Sequence, residues 1–574
     1  MYIDRVPNRN SRPAILLREA WREGNKIRKR TIANLTNWPQ EKVEALRGVL
    51  KGETMVGPDE AFVIERSIPH GHVEAVLGTI NKIGLDRLIS SKRCGERDLV
   101  VAMIAERLLL PCSKLATTRL WHTTTLAEQL GVADADEDDV YEAMDWLLSR
   151  QGRIEKKLAA RHLWEGSLVL YDVTSSYYEG CSCPLAYFGH DRDGKKGKLI
   201  IVYGVLTDEA GRPVAVEVYR GNTSDPTTVS DQVEKLRQRF GLGRVVLVGD
   251  RGMLTQTQIH KLKQYPGLGW ISALRSSAIR DLVDGGRLQL SLFDEKNLAE
   301  INSPGFAGER LVACYNPILA EQRRRKREDL VAATEKGLEK IARQVARRTK
   351  KPLDKAEIGK KVGKVINRFK VAKHFEVMIQ DGAFSFTRNK ESIGREEQLD
   401  GIYVIRTSES AERISAQDVV RSYKKLEQLE RAIRCMKGVD LLVRPIYHRT
   451  EDHVRAHIFL CVLAYYVEWH MRKALAPLLF DDEELDEHRK RRDPVKSPKP
   501  SASAKRKKAI HLTADGLEIH SFQTLLAELA TRCRNWCRIK SDQTAPTFYQ
   551  LTEPTPLQKR TFELLELYPV NGKS

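Results

Sequence analysis

The stretch "LVLYDVTSSYYEG", Leu168 to Gly180, carries a polar residue where a core strand should have none. Leu168, Val169, Leu170 and Tyr171 are strand formers, and the run then meets Asp172. An ionised carboxylate taken out of water costs several kcal/mol unless a donor, a cation or a metal stands beside it. Thr174, Ser175 and Ser176 are local donors, so Asp172 alone reads equally as a hydrogen-bonded buried acid.

Working outward, "SLVLYDVT" (167–174), "KLIIVYGVLT" (198–207) and "PVAVEVY" (213–219) read as three strands, the last two joined by the polar turn "DEAGR" into a hairpin. A helix follows, with Asp225 as N-cap and Pro226 in its first turn. The strand "RVVLVGD" (244–250), the helix "TQTQIHKLKQY" and the strand "LGWISALR" complete an α/β order of three strands, helix, strand, helix, strand. Asp250 ends the fourth strand, where a carboxylate also serves to cap the next helix. Further on, "SAQDVVRSYKKLEQLERAIRCMKG" predicts one long helix, started by Ser415 and Asp418 and stopped at Gly438. Tyr423, Glu430 and Lys437 recur in it at close to two helical turns and share a face. Glu430 alone is compatible with a solvated surface. Taken together, two strand-end aspartates and a helical glutamate form an oxygen-only cluster, which calls for a hard cation such as Mg²⁺. Two such ions roughly 4 Å apart suit a phosphodiester displacement.

The chain of 574 residues is long enough for several domains and holds 96 basic against 77 acidic residues, a net charge of +19. That balance favours a polyanionic partner, most simply nucleic acid. No apolar run approaches the ~20 residues of a membrane span, and the N-terminus has no signal core, so a cytoplasmic protein is expected. Nine cysteines without zinc-finger spacing read as reduced thiols. The pattern divides into a basic N-terminal segment with possible DNA contact (1–60), a helical DNA-binding region (61–163), a first core part (164–275), an insertion (276–408), a second core part with the Glu430 helix (409–480), a basic flexible linker (481–510) and a C-terminal helical segment (511–574). His190 and Asp193 fall in a polar loop and receive no role, and Trp270 reads as core packing.

"DVT", "GDRG", "RGNTSDPTTV", "LLVRPIYHRTEDHVRAHIFLCVLAYYVEW" and the helix "YKKLEQLERAIRCMK" resemble the DDE transposases of bacterial insertion sequences. The resemblance is to the IS-four-like group marked by a Tyr-x2-Arg-x3-Glu-x6-Lys helix. The chain departs from that pattern at Leu426, which stands in the Arg slot. The resemblance implies a ribonuclease H-like core, a mixed five-stranded sheet with helices, interrupted by a β-rich insertion and preceded by a mainly helical region. It implies that Asp172, Asp250 and Glu430 are catalytic and bind two Mg²⁺ ions, with Mn²⁺ able to substitute. It further implies DNA contacts from Tyr423 and Lys437, double-stranded DNA (transposon ends and target) as partner, a synaptic homodimer, and a bacterial, nucleoid-associated location. Arg434, one turn after Glu430, is a candidate replacement for the missing Arg, and Arg251 and Arg444 are further candidates. The expected activity is metal-dependent cleavage of insertion-sequence ends followed by joining of the 3′-hydroxyl to target DNA. A ribonuclease H-like nuclease without strand transfer and an inactive, transposase-derived DNA-binding protein are the alternatives.

Overall fold

The computed structural model describes residues 1–9, 12–53, 61–293, 296–496, 499–540 and 546–567. Two compact units emerge: residues 1–69 with 532–553, and residues 70–531 with the C-terminal segment from 554.

In the smaller unit, β1 (Tyr2–Val6), β2 (Ala14–Glu23) and β3 (Lys26–Asn34) form an antiparallel sheet, followed by a helix at Gln40–Leu50. Gly24, at φ 62°, makes the tight β2–β3 turn. The expected boundary near residue 60 lies outside the described residues. The region beginning at 61 is not helical at its start, because β4 (Phe62–Pro69) is a strand.

In the larger unit, helices run from Gly71 to His162 and lead into a mixed eight-stranded sheet. One end of it is β5 (Leu168–Tyr177), β6 (Ile200–Asp208) and β7 (Pro213–Arg220), antiparallel in the order β5-β6-β7 with β7 at the edge. β8 (Val245–Gly249) and β9 (Leu268–Ala273) add in parallel on the other side of β5. All nine residues of β6 and all five of β8 are buried, as strands covered on both faces require. The largely buried helix Glu451–Leu475 packs against β7, yet among the described residues no helix is long and apolar enough to cross a membrane.

The insertion differs from expectation. β10 (Leu298–Ile301), β11 (Arg310–Tyr315) and, beyond it, β14 (Ile402–Thr407) extend the same sheet past β9, giving eight strands in the order β10-β11-β14-β9-β8-β5-β6-β7. Between β11 and β14, the helices Pro317–Ala346 and Lys355–Ile366 and the hairpin β12 (Phe375–Gln380) and β13 (Ala383–Arg388) build a core of their own around Val331, Leu338, Ile358, Val362 and Phe375.

The described residues of the segment expected to be a flexible linker include two helices, Leu485–Arg491 and Ala502–Ile510. Val495, Ser501, Ala504 and Lys507 are buried, and Asn316 donates to the Val495 carbonyl at 3.2 Å. Composition misleads here because one lysine, Lys507, keeps its stem buried while its ammonium donates to the Ala476 carbonyl, and the lysines around it stay exposed. The C-terminal segment is not wholly helical either: β15 (Cys533–Ile539) pairs antiparallel with β4 and with β16 (Phe548–Leu551) inside the smaller unit.

Candidate active site

The register of the sheet places the first two acids. β5 and β8 are parallel, with Tyr171 opposite Gly249, so the next residues along each chain are Asp172 and Asp250. Residues level with each other on parallel neighbours project to the same face, so both carboxylates leave the sheet together at the end of β8.

The hydroxyls next to Asp172 in sequence all have other partners. Ser175 Oγ donates to the His190 carbonyl, Ser176 Oγ bonds Tyr203 at 3.0 Å, and Thr174 Oγ1 accepts from Lys437 at 3.1 Å. Asp172 itself accepts from the Val173 backbone at 2.8 Å. The helix after β8 is capped by Thr255, which accepts from Gln258 N–H, and not by Asp250.

The Glu430 helix crosses over these positions. The single long helix of the sequence reading is two, Ala416–Lys424 and Leu426–Lys437, with a break at Lys425. Ser415 caps the first, as expected, and Leu426 in the Arg slot is buried. At one end Tyr423 donates its hydroxyl to Asp250 Oδ1 at 3.1 Å, and at the other Lys437 Nζ donates to the Ser175 carbonyl at 2.7 Å. Glu430, midway, is exposed and makes no hydrogen bond or ion pair among the described residues. Its neighbours Glu427 and Arg431 pair outward, to Arg489 and Asp481. Gly211 fixes the helix height from below: at φ 82° in the β6–β7 turn, a Cβ there would lie 2.9 Å from Gln428 Cβ.

The electrostatics record that the acids are close. Burial pushes the Asp172 carboxyl up to about 7, and the charges of Asp250 and then Glu430 push the same way, against the Val173 hydrogen bond and Arg192. Burial and Asp250 likewise raise the Tyr423 phenol. The oxygens of the three acids are not all within 4.8 Å of one another, a spread wider than one closed cage. The donor set is all oxygen, gathered against like charge, and among the described residues no cation pairs with Glu430 or Asp172. Such a set fits divalent cations of the Mg²⁺ type.

The candidate phosphate-contact residues divide. Arg251 and Arg434 are exposed and make no ion pair or hydrogen bond among the described residues. Arg251 lines a cavity of about 280 Å³ together with Asp250 and Tyr423. Lys437 and Arg444 point elsewhere: both pair with Asp193, Lys437 at 2.5 Å. Asp193 is almost wholly buried and also accepts from the Tyr177 backbone at 3.0 Å, so the loop residue left without a role is the anchor of this corner. Asp225, expected as a helix cap, instead pairs with Arg192 from the same loop.

Comparison with known proteins decides the family. A family profile described as "Transposase DDE domain" matches residues 167–467, more than half of the chain. The chain belongs to the DDE transposase family. It is therefore a DNA transposase, a DNA-cleaving enzyme of a family that generally uses divalent metal ions. A second profile, "IS1634 family transposase, N-terminal domain", matches residues 3–59, which marks this transposase as one of an insertion sequence. No curated protein sequence matches the chain. Among solved structures, a piggyBac transposase synaptic complex with hairpin DNA aligns at 9% identity and TM-score 0.32, covering 80% of this chain and 76% of that one. A Mos1 transposase paired-end complex with the left transposon end aligns at 14% identity and TM-score 0.14, covering 30% of this transposase and 62% of the other chain.

Proposed function

We propose that Asp172, Asp250 and Glu430 are the catalytic acids of this transposase and together hold two divalent ions, Mg²⁺ with Mn²⁺ able to substitute. The observation that carries the reading is the shared register of Asp172 and Asp250 beneath an unpaired Glu430, with the alternative donors engaged elsewhere. Bound divalent ions would supply activation of the attacking oxygen and charge stabilisation of the leaving one.

The remaining residues have separable roles. Tyr423 holds Asp250 in place through its hydroxyl. Lys437 ties the Glu430 helix to β5 and to Asp193, so it sets the height of Glu430 over Asp172. Arg251 and Arg434, exposed near the acids, contact the phosphates of double-stranded DNA, and Arg434 takes the place of the missing Arg at Leu426. The β5-β6-β7 and β8-β9 order supports a ribonuclease H-like core. In cleavage, a water oxygen bonds to phosphorus and the 3′ oxygen leaves as a hydroxyl. In joining, that hydroxyl oxygen bonds to a target phosphorus and the target's 3′ oxygen leaves. One phosphodiester replaces another, so joining needs no external energy source. Two copies of the chain, one per transposon end, form the assembly that brings the ends together.

The test supplies DNA carrying the ends of the encoding element, a target plasmid, and Mg²⁺ or Mn²⁺. Expected products are nicked ends followed by covalent joint molecules. Cutting without joint molecules would favour the plain nuclease, and DNA binding without cutting the inactive derivative.

A further inference from the structure

Away from the acids, the larger unit contains a cavity of about 690 Å³ between residues 107–141 and 442–457. That is the size of a pocket for a small ligand. Its lining is strongly one-sided in charge: Arg107, Lys114, Arg444 and Arg449 face a single lining carboxylate, Glu137. Arg107 donates to the Cys112 carbonyl, and Arg444 is held by Asp193. Lys114 is different. It is only 4% exposed, lines the cavity, and makes no hydrogen bond or ion pair among the described residues. A buried ammonium without a partner is costly, and here burial and then Arg107 hold its amine down to about 7, against the weaker opposing influence of Cys461, Cys112 and Glu106. An anion entering the cavity would restore that charge and relieve the cost. One wall is aromatic: Tyr141 stacks on His453 at 4.6 Å, and His448 lies edge-on to both. Burial keeps His448 neutral, at about 3, so it offers a ring face rather than a cation.

We infer that this cavity is a phosphate-binding subsite centred on Lys114, with Arg449 at its mouth and the Tyr141 and His448 rings placed to receive an attached nucleobase. Lys114 is only 4% exposed and sits behind exposed Arg449, so a strand terminus, an unpaired nucleotide or a free nucleotide suits the site better than a phosphate held in a duplex backbone. The existence of the site is independent of the transposition reading; the choice of DNA as the source of the phosphate rests on it.

The test is calorimetric titration of the full chain with inorganic phosphate, dAMP, and a short single-stranded oligonucleotide with and without a 5′-phosphate. Saturable binding of phosphate or dAMP is expected, weakened at least tenfold in Lys114→Met and severalfold in Arg449→Gln. Arg449 is exposed, so its variant folds whatever Lys114 contributes to the core. Preference for the phosphorylated oligonucleotide over dAMP identifies a strand end as the source, and equal affinity for phosphate and dAMP identifies a free anion. Binding that is unchanged in both variants, or no saturable binding of any probe, overturns the inference. Binding should persist in Asp172→Ala, so failure of the catalytic reading and failure of this one give different results.

Discussion

Asp193 shows how much a single residue can hold. Its carboxylate pairs with both Lys437 and Arg444 and receives the Tyr177 backbone N–H. Removing one member of a buried pair leaves the others uncompensated, at about 3–5 kcal/mol. Asp193→Ala is therefore expected to lower unfolding stability by about that much, measured by urea denaturation, and to slow DNA cleavage because the Glu430 helix loses its tie to β5. At this scale the sequence singled out Asp172, Asp250, Glu430 and Tyr423 as candidates; the fold sets the two aspartates on adjacent parallel strands and turns the Tyr423 hydroxyl to Asp250 instead of leaving it free for phosphate. The sequence was silent on Asp193, because an ion pair spanning more than two hundred residues leaves no local pattern. Lys437 had the right spacing, but the spacing could not say that its amine would turn to Asp193. A milder change isolates the Tyr423 hydroxyl: Tyr423→Phe removes one hydrogen bond to Asp250, a loss of about 1 kcal/mol. A roughly fivefold rise in the Mg²⁺ concentration for half-maximal cleavage is expected, with stability little changed.

Among elements, the contact of the β6–β7 turn with the Glu430 helix is the most sensitive. Gly211 combines a left-handed φ of 82° with an approach that leaves no room for a Cβ against Gln428. Gly211→Val is expected to cost about 1–3 kcal/mol in urea denaturation and to reduce cleavage by lifting the helix from the aspartates. Sequence reading recovered the strands β5 to β9 closely, since each is a short buried run bounded by turn residues. It placed the insertion's strands in a separate block, because edge-to-edge pairing of β14 with β9 is a long-range event that strand propensity does not encode. The break at Lys425 was equally invisible, as neither Gly nor Pro marks it.

Across the larger unit, several histidines are buried and neutral. Burial lowers His72 to about 4, His162 to about 3, His448 to about 3 and His470 to about 4. Each group's folded value lies below its unfolded value near 6.5, so its contribution to stability is complete above about pH 6.5 and is lost as pH falls toward its folded value. His162→Gln, which keeps an acceptor or donor for the Tyr466 hydroxyl, should flatten the pH dependence of unfolding free energy by about one proton between pH 6 and 4. Denaturation curves across that range in the wild type and variant measure it. The whole-chain charge pointed to nucleic acid, while the basic stretch 481–510 looked like linker and, among its described residues, buries Val495, Ser501, Ala504 and Lys507. Charge composition speaks to partners and solubility, and much less to which residues fold.

On the proposed assignment, Asp172, Asp250 and Glu430 form one metal-dependent centre for cutting DNA. The most direct measurement compares Mg²⁺-dependent cleavage of element-end DNA by the wild type with that by Asp172→Ala, Asp250→Ala and Glu430→Ala, with DNA affinity measured alongside. Each variant should lose at least about 100-fold in cleavage rate while binding DNA about as tightly as the wild type. Undiminished cleavage in any one of the three, in protein that binds DNA normally, would contradict the assignment.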